Sequence, residues 1–176
     1  MKTVCAINRR LEPGQYRLED LFADIRACGV LWDIFSDAEE IDTILAHTKV
    51  FVVDQSERIF VDNDDGSITV GLQHLQRFSD EILYLDITHE LCHVKQHREG
   101  RDLYDRSTSY VDRETEIEAY RVTVREARRI GLNEEAIVSY LRVSWITPEE
   151  HIRLARRMGI TGEIRDCASQ PKAGVQ

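Results

Sequence analysis

DEILYLDITHELCHVKQHRE, residues 80–99, is the most informative stretch of this sequence. Ser79 or Asp80 can cap a helix at its start, and Gly100 follows its end, so the stretch has the boundaries of one continuous helix. Its apolar side chains recur at helical spacing, which predicts an amphipathic helix with one buried stripe. The stripe consists of Leu83, Ile87, Leu91 and Val94.

Residues 89–93 of this helix read HELCH, which is an HExxH motif. Four residues advance a helix by about 400° and about 6 Å, so the imidazoles of His89 and His93 project from one face and can bind one zinc ion. Glu90 lies about 100° around the helix, beside the metal and outside its ligand set. Its carboxylate can hold a water molecule there and accept a proton from it, so we predict Glu90 as a catalytic general base.

A third metal ligand is expected from another element, because a catalytic zinc ion usually has three protein ligands and one open coordination position. The next predicted helix, residues 112–130, opens with several carboxylates. Glu116 borders the apolar stripe expected to face inward, whereas Glu118 shares a face with arginines and is expected to face solvent. We therefore predict Glu116 as the third ligand, with Glu118 as the reserve. The inward stripe consists of Ile117, Tyr120, Val124 and Ala127.

The HELCH motif, followed about 23 residues later by EIEA at residues 116–119, resembles the gluzincin branch of the zincin metallopeptidases. The resemblance covers less than half of the chain. It implies that His89, His93 and Glu116 bind Zn²⁺ and that Glu90 is the general base. It also implies a zincin-like fold and a peptide or protein substrate.

Two further positions bear on this resemblance. Gln96, three residues after the motif, matches the HELxHVxQ form of several small, poorly characterised metallopeptidases. Many relatives carry an Asp four residues after the ligand Glu, and this chain has Tyr120 there. We predict that the Tyr120 hydroxyl takes part in the site by orienting a zinc-binding histidine in place of that carboxylate. Other side chains that qualify only by type to stabilise developing charge are Tyr104, Tyr110 and His151.

The remaining sequence predicts helices, then strands, then helices, which is typical of an α+β fold. Helices are predicted at residues 17–30, 36–47, 133–141 and 147–159, and strands at 49–54, 58–62 and 67–72. The first two strands are expected to form a hairpin in a small mixed or antiparallel sheet, and the third to be the edge strand beside the motif helix. Residues 1–160 are predicted to form a single zincin-like domain, with residues 161–176 as a flexible tail.

Composition narrows the possible partners. Lys and Arg total 23 and Asp and Glu total 32, so the net charge is −9, which disfavours nucleic acid and anionic membranes as general partners. The beginning of the sequence lacks a long apolar stretch, which predicts a cytoplasmic protein. The four cysteines contain no CxxC pair and are expected to be free thiols.

The sequence therefore predicts a zinc-dependent metallopeptidase. A protein that binds zinc for a regulatory or partner-binding role without cleaving anything is the alternative. A third reading is a helical interaction protein that carries the motif by chance. Because zinc binding needs neutral imidazoles, the affinity is expected to fall below a pH of about 6.

Overall fold

The computed structural model describes residues 5–162 and residue 164. Those residues form eight α-helices, a four-stranded sheet and a two-stranded sheet, so the predicted α+β class is confirmed. The strands are β1 (Ala6–Ile7), β2 (Gly14–Arg17), β3 (Phe22–Ala23), β4 (Lys49–Val53), β5 (Ile59–Val61) and β6 (Ile68–Gly71). The α-helices are α1 (Leu18–Leu21), α2 (Leu31–Ile34), α3 (Ala38–His47), α4 (Leu72–Arg77), α5 (Asp80–Arg98), α6 (Glu114–Ile130), α7 (Glu134–Tyr140) and α8 (Pro148–Arg157). Single 3₁₀ turns occur at Ile25–Ala27 and Tyr110–Asp112.

One hydrophobic core extends from Cys5 to Ile160, and α5 runs through it. Every residue from Leu83 to Val94 is buried, so the predicted amphipathic helix is instead buried on all sides. Helices α2 and α6 and strands β1 and β5 all contact it. Among the described residues, no helix combines the length and the apolar character that crossing a bilayer requires. The predicted tail, residues 161–176, lies almost entirely outside the described residues.

The larger sheet has the strand order β2-β4-β6-β5, with β4 and β6 parallel and the other neighbours antiparallel. The predicted hairpin of the first two strands is wrong, because β6 lies between β4 and β5. The parallel pairing places Val50 opposite Ile68 and Val52 opposite Val70, all of them buried. Strand β6 is therefore interior, and β5 is the edge strand that contacts α5. Alternating apolar residues predict a strand, but they do not predict which other strand it pairs with.

The helix predicted at residues 17–30 is also wrong. After the single turn of α1, Phe22 and Ala23 leave the helix and pair with β1. Asp24 then adopts the left-handed conformation with φ of 62°, which no α-helix can continue through. The apolar residues of this segment are buried as the helical pattern requires, but they are buried in separate short elements.

The other helices begin close to where the sequence predicts. Helix α5 starts at Ser79, whose hydroxyl accepts the N–H of Ile82, and α8 starts at Thr147 with a capping box and Pro148 in its first turn. Helix α3, predicted over residues 36–47, is capped by Asp37, because the Asp37 carboxylate accepts the N–H of Glu40.

The expectation of free thiols is wrong for two cysteines. Cys5 and Cys28 form a disulfide, whereas Cys92 is a buried free thiol. The separation of 23 residues between Cys5 and Cys28 did not predict the disulfide. The pairing of β1 with β3 brings the two segments that carry these cysteines together. Disulfides are uncommon in reducing compartments, so this bond does not favour the cytoplasmic location that the sequence predicts.

The contact between α5 and α6 yields a test of the packing. Ala119 on α6 is fully buried, so Ala119→Leu is expected to lower the free energy of unfolding by about 1–3 kcal/mol through overpacking. Ala46→Leu on the exposed side of α3 is the matched control and is expected to change it by less than about 0.5 kcal/mol. Denaturant unfolding measures both. An equal effect of the two substitutions would contradict a tightly packed α5–α6 contact.

Candidate metal centre

Three predicted ligands converge in the space between α5 and α6. The Nε2 atoms of His89 and His93 are 3.0 Å apart, and Glu116 Oε2 lies 3.2 Å from the first and 3.5 Å from the second. All three residues are at most 3% exposed. Atoms at these separations suit one shared ion, because zinc lies about 2.0–2.2 Å from its nitrogen and oxygen ligands. The group can therefore hold a metal ion.

The two candidate carboxylates on α6 have different surroundings. Glu116 is 2% exposed and faces both histidines. The side chain of Glu118 is 47% exposed, and it forms an ion pair with Arg101 and accepts a hydrogen bond from Gln96. A residue two positions further along a helix is turned by about 200°, so only one of the two carboxylates can face the two histidines. The geometry places Glu116 in the cluster and leaves Glu118 outside it.

The charges of the cluster depend on one another. Burial alone would lower the pKa of His93, but the carboxylates of Glu116 and Glu90 outweigh it and raise this pKa to about 9. Burial would raise the pKa of Glu116, but both histidines outweigh it and hold this pKa well below its usual value. Burial lowers the pKa of His89. Without a metal ion, the pair formed by a charged His93 and Glu116 stabilises the cluster.

Glu90 lies beside the cluster and is completely buried. Neither of its carboxylate oxygens makes a hydrogen bond with the protein. Burial raises its pKa to about 8, although the positive charge of His93 and, more weakly, the nearby backbone N–H of Val61 on β5 favour the charged form. Glu90 is therefore a buried carboxylate without a hydrogen-bond partner beside three residues that could hold a metal ion.

Tyr120 contacts the cluster through its ring. The ring centroids of Tyr120 and His89 are 4.5 Å apart, and the Tyr120 hydroxyl is 2.9 Å from the hydroxyl of Tyr110. The Nδ1 atom of His89 is buried and has no hydrogen-bond partner. In this arrangement Tyr120 fixes His89 by packing, and the role predicted for its hydroxyl stays a prediction.

A second buried network lies one helical turn before the motif. His74 Nε2 is 2.8 Å from Asp86 Oδ2, and the Tyr140 hydroxyl donates to Asp86 Oδ1 over 3.1 Å. The side chains of His74 and Asp86 are fully buried. The network links α4, α5 and α7 and so fixes the start of the turn that carries the candidate ligands. Sequence analysis missed it, although an Asp within an otherwise apolar helical stretch was the available signal.

Residues 101–109 cover the site from the side of β5. The Tyr104 hydroxyl donates to the carbonyl oxygen of Val61 over 2.7 Å, and the Leu103 N–H donates to the side chain of Asn63. Leu103 is only 2% exposed. These contacts cover the edge of β5 at Val61 and the turn that follows it, and they help to exclude solvent from Glu90 and the candidate ligands. Tyr110, also proposed by type, lies at the cluster, where burial and the Glu116 carboxylate raise its pKa. His151 lies elsewhere and bonds to the Val138 carbonyl oxygen.

Comparisons of this chain with protein-family models, with curated proteins and with solved structures found no match. The class of site is therefore defined by its own geometry, as a buried centre of two histidines and one glutamate with a carboxylate beside it.

The third ligand is tested by metal content. Purified Glu116→Ala is expected to lose its zinc, because two histidines alone leave the site incomplete, whereas Glu118→Ala is expected to stay near one zinc ion per chain. Elemental analysis of protein exposed to zinc and then dialysed gives both values. Glu114→Ala, at an exposed position on the same helix, is the matched control. Loss of zinc from the Glu118 variant alone would contradict the assignment.

The pH dependence of metal affinity follows from the charge on His93. In the metal-free protein this imidazole has its pKa raised to about 9, so below that pH a metal ion must displace its proton. The dissociation constant for zinc is therefore expected to increase about tenfold for each unit that the pH falls from 9 to 7. This decline starts at a higher pH than an ordinary imidazole predicts. Chelator competition measures it, and constant affinity over this range would contradict ligation by His93.

Proposed function

We propose that this chain is a zinc-dependent metallopeptidase with a zincin-like fold, which cleaves peptide bonds. The observation that carries the proposal is the meeting of His89, His93 and Glu116 around one point, with the buried and unpartnered carboxylate of Glu90 beside it. Two histidines and a carboxylate are the ligand set of several catalytic zinc sites. The resemblance of the HELCH and EIEA motifs to gluzincins agrees with this proposal.

Each residue has a distinct task in the proposed reaction. A zinc ion in this site would act as a Lewis acid. It would lower the pKa of a bound water molecule toward neutrality and polarise the carbonyl group of the substrate. His89, His93 and Glu116 would hold it in place. Glu90 accepts a proton from the attacking water and then donates one to the leaving nitrogen of the cleaved peptide bond. Its pKa of about 8 without metal suits a group that both accepts and donates a proton near neutral pH.

The edge strand β5 gives the proposal a route for an extended substrate. Val61 on this strand presents its carbonyl oxygen outward, where it now accepts a hydrogen bond from Tyr104. An extended peptide that pairs with this edge would pass beside Glu90. It would have to displace the contacts of Tyr104 and Leu103, so cleavage requires residues 101–109 to move away from β5.

The enclosure of the site favours a second candidate. Because the three ligands and Glu90 are all at most 3% exposed, a bound zinc ion would have little access to substrate while residues 101–109 keep their contacts. A zinc ion held in this way would stabilise the fold in a regulatory or partner-binding protein. That candidate needs the three ligands but not an ionised Glu90.

Glu90→Gln separates the two candidates. If the chain is a peptidase, this variant is expected to keep its zinc and to lose hydrolytic activity by about 10²–10⁴-fold, because the amide cannot accept the proton. Activity is measured by mass spectrometry on a mixture of unstructured peptides, with zinc content determined on the same samples.

The control for Glu90→Gln is Glu114→Gln, which makes the same change at an exposed position on α6. Full activity in a zinc-loaded Glu90→Gln protein would contradict the proposed mechanism. Zinc binding by the wild type with no cleavage of any peptide would favour the non-catalytic candidate. Wild-type protein that takes up no zinc would contradict both.

A further inference from the structure

We propose that Gln96 is a positioning residue, which presents His93 to the metal and fixes the separation of the two ligand-bearing helices. This inference rests on the proposed metal site. It adds a residue that neither binds the metal nor touches the substrate.

The first contact of Gln96 determines which nitrogen of His93 faces the cluster. Gln96 Oε1 lies 2.7 Å from His93 Nδ1. An amide oxygen is only an acceptor, so Nδ1 must carry the proton and donate it. In the neutral ring the lone pair is then on Nε2, the atom that lies 3.0 Å from His89 Nε2 and faces Glu116. One hydrogen bond thus sets both the tautomer and the orientation that metal binding needs.

The amide nitrogen of Gln96 makes two contacts with α6. It donates to the carbonyl oxygen of Thr115 over 3.0 Å and to the Glu118 carboxylate over 3.0 Å. Thr115 directly precedes the ligand Glu116, so this bond holds the α6 ligand at a fixed distance from the α5 ligand. Gln96 is 4% exposed and uses its oxygen and both amide hydrogens, which leaves it one way to be oriented.

Glu118 takes a supporting role in this arrangement. Its carboxylate accepts the hydrogen bond from Gln96 and pairs with Arg101 at the outer side. A charged acceptor strengthens the bond and keeps the amide nitrogen of Gln96 toward α6 and its oxygen toward His93. The chain of contacts from Arg101 through Glu118 and Gln96 to His93 explains why an exposed carboxylate lies next to a buried metal site.

The test compares variants by their affinity for Zn²⁺, measured by chelator competition, and by the visible spectrum of bound Co²⁺. Gln96→Ala is expected to weaken zinc binding by about 10–100-fold and to change the Co²⁺ spectrum, because the His93 ring loses its orienting partner. The double variant Gln96→Glu/Glu118→Gln keeps an acceptor for His93 and supplies a new amide donor to hold it. It lacks the amide donor to Thr115, as Gln96→Ala does, so it is expected to bind zinc more tightly than Gln96→Ala but more weakly than the wild type. Gln76→Ala, at an exposed position on α4, is the matched control and is expected to match the wild type.

Two outcomes would overturn the proposal. One is a Gln96→Ala protein with wild-type zinc affinity and Co²⁺ spectrum. The other is a folded double variant that binds zinc as weakly as Gln96→Ala, which would mean that Gln96 only joins the two helices. Thermal unfolding of the metal-free proteins shows which variants fold, and if Gln96→Ala does not, the double variant alone decides. Failure of the wild type to bind either metal is a different result, and it removes the proposed function together with this inference.

Discussion

The side chains of His89, His93 and Glu116 are buried together between α5 and α6, and the surrounding structure depends on keeping them close to one another. A buried carboxylate costs several kcal/mol unless a partner compensates for the lost water. Glu116 is compensated because both histidines face it, and this holds only if the two helices keep their separation and register. Ala119 on α6 is fully buried, and Gln96 joins the two helices beside the candidate ligands through its bond to Thr115.

Helix α5 is held on every side, which explains how it can carry so many polar groups without an exposed face. One turn before the motif, Asp86 is fixed by His74 and Tyr140. One turn after the motif begins, His93 is fixed by Gln96. Asp86 has partners on two other helices, whereas the partner of His93 lies on α5 itself and in turn reaches α6 through the bond from Gln96 to Thr115. Beside the cluster, His89 Nδ1 and both carboxylate oxygens of Glu90 are buried without a hydrogen-bond partner, and the unpaired carboxylate is the strongest pointer to chemistry among them.

Burial of the site has two opposing effects on the proposed peptidase activity. Exclusion of water strengthens the electrostatic interactions by which a metal ion and a carboxylate act on a substrate. The same exclusion closes the route along β5, where residues 101–109 occupy the strand edge. A peptidase would reconcile these effects through movement of that segment, and a zinc-binding regulatory protein would need no such movement. The two proposed functions therefore differ more in whether a substrate can reach the site than in the geometry of the ligands.

The sequence by itself determined the local features: the bounds of α5 and α8, the facing of His89 and His93, and the choice of Glu116 over Glu118, since helical periodicity fixes which side chains share a face. The α+β class also follows from the order of periodic segments. The strand order, the Cys5–Cys28 disulfide and the pairing of Asp86 with His74 were decided only by the tertiary structure. These contacts join segments that helical or strand periodicity does not relate to one another. Which of them form depends on how all the apolar surfaces are buried together.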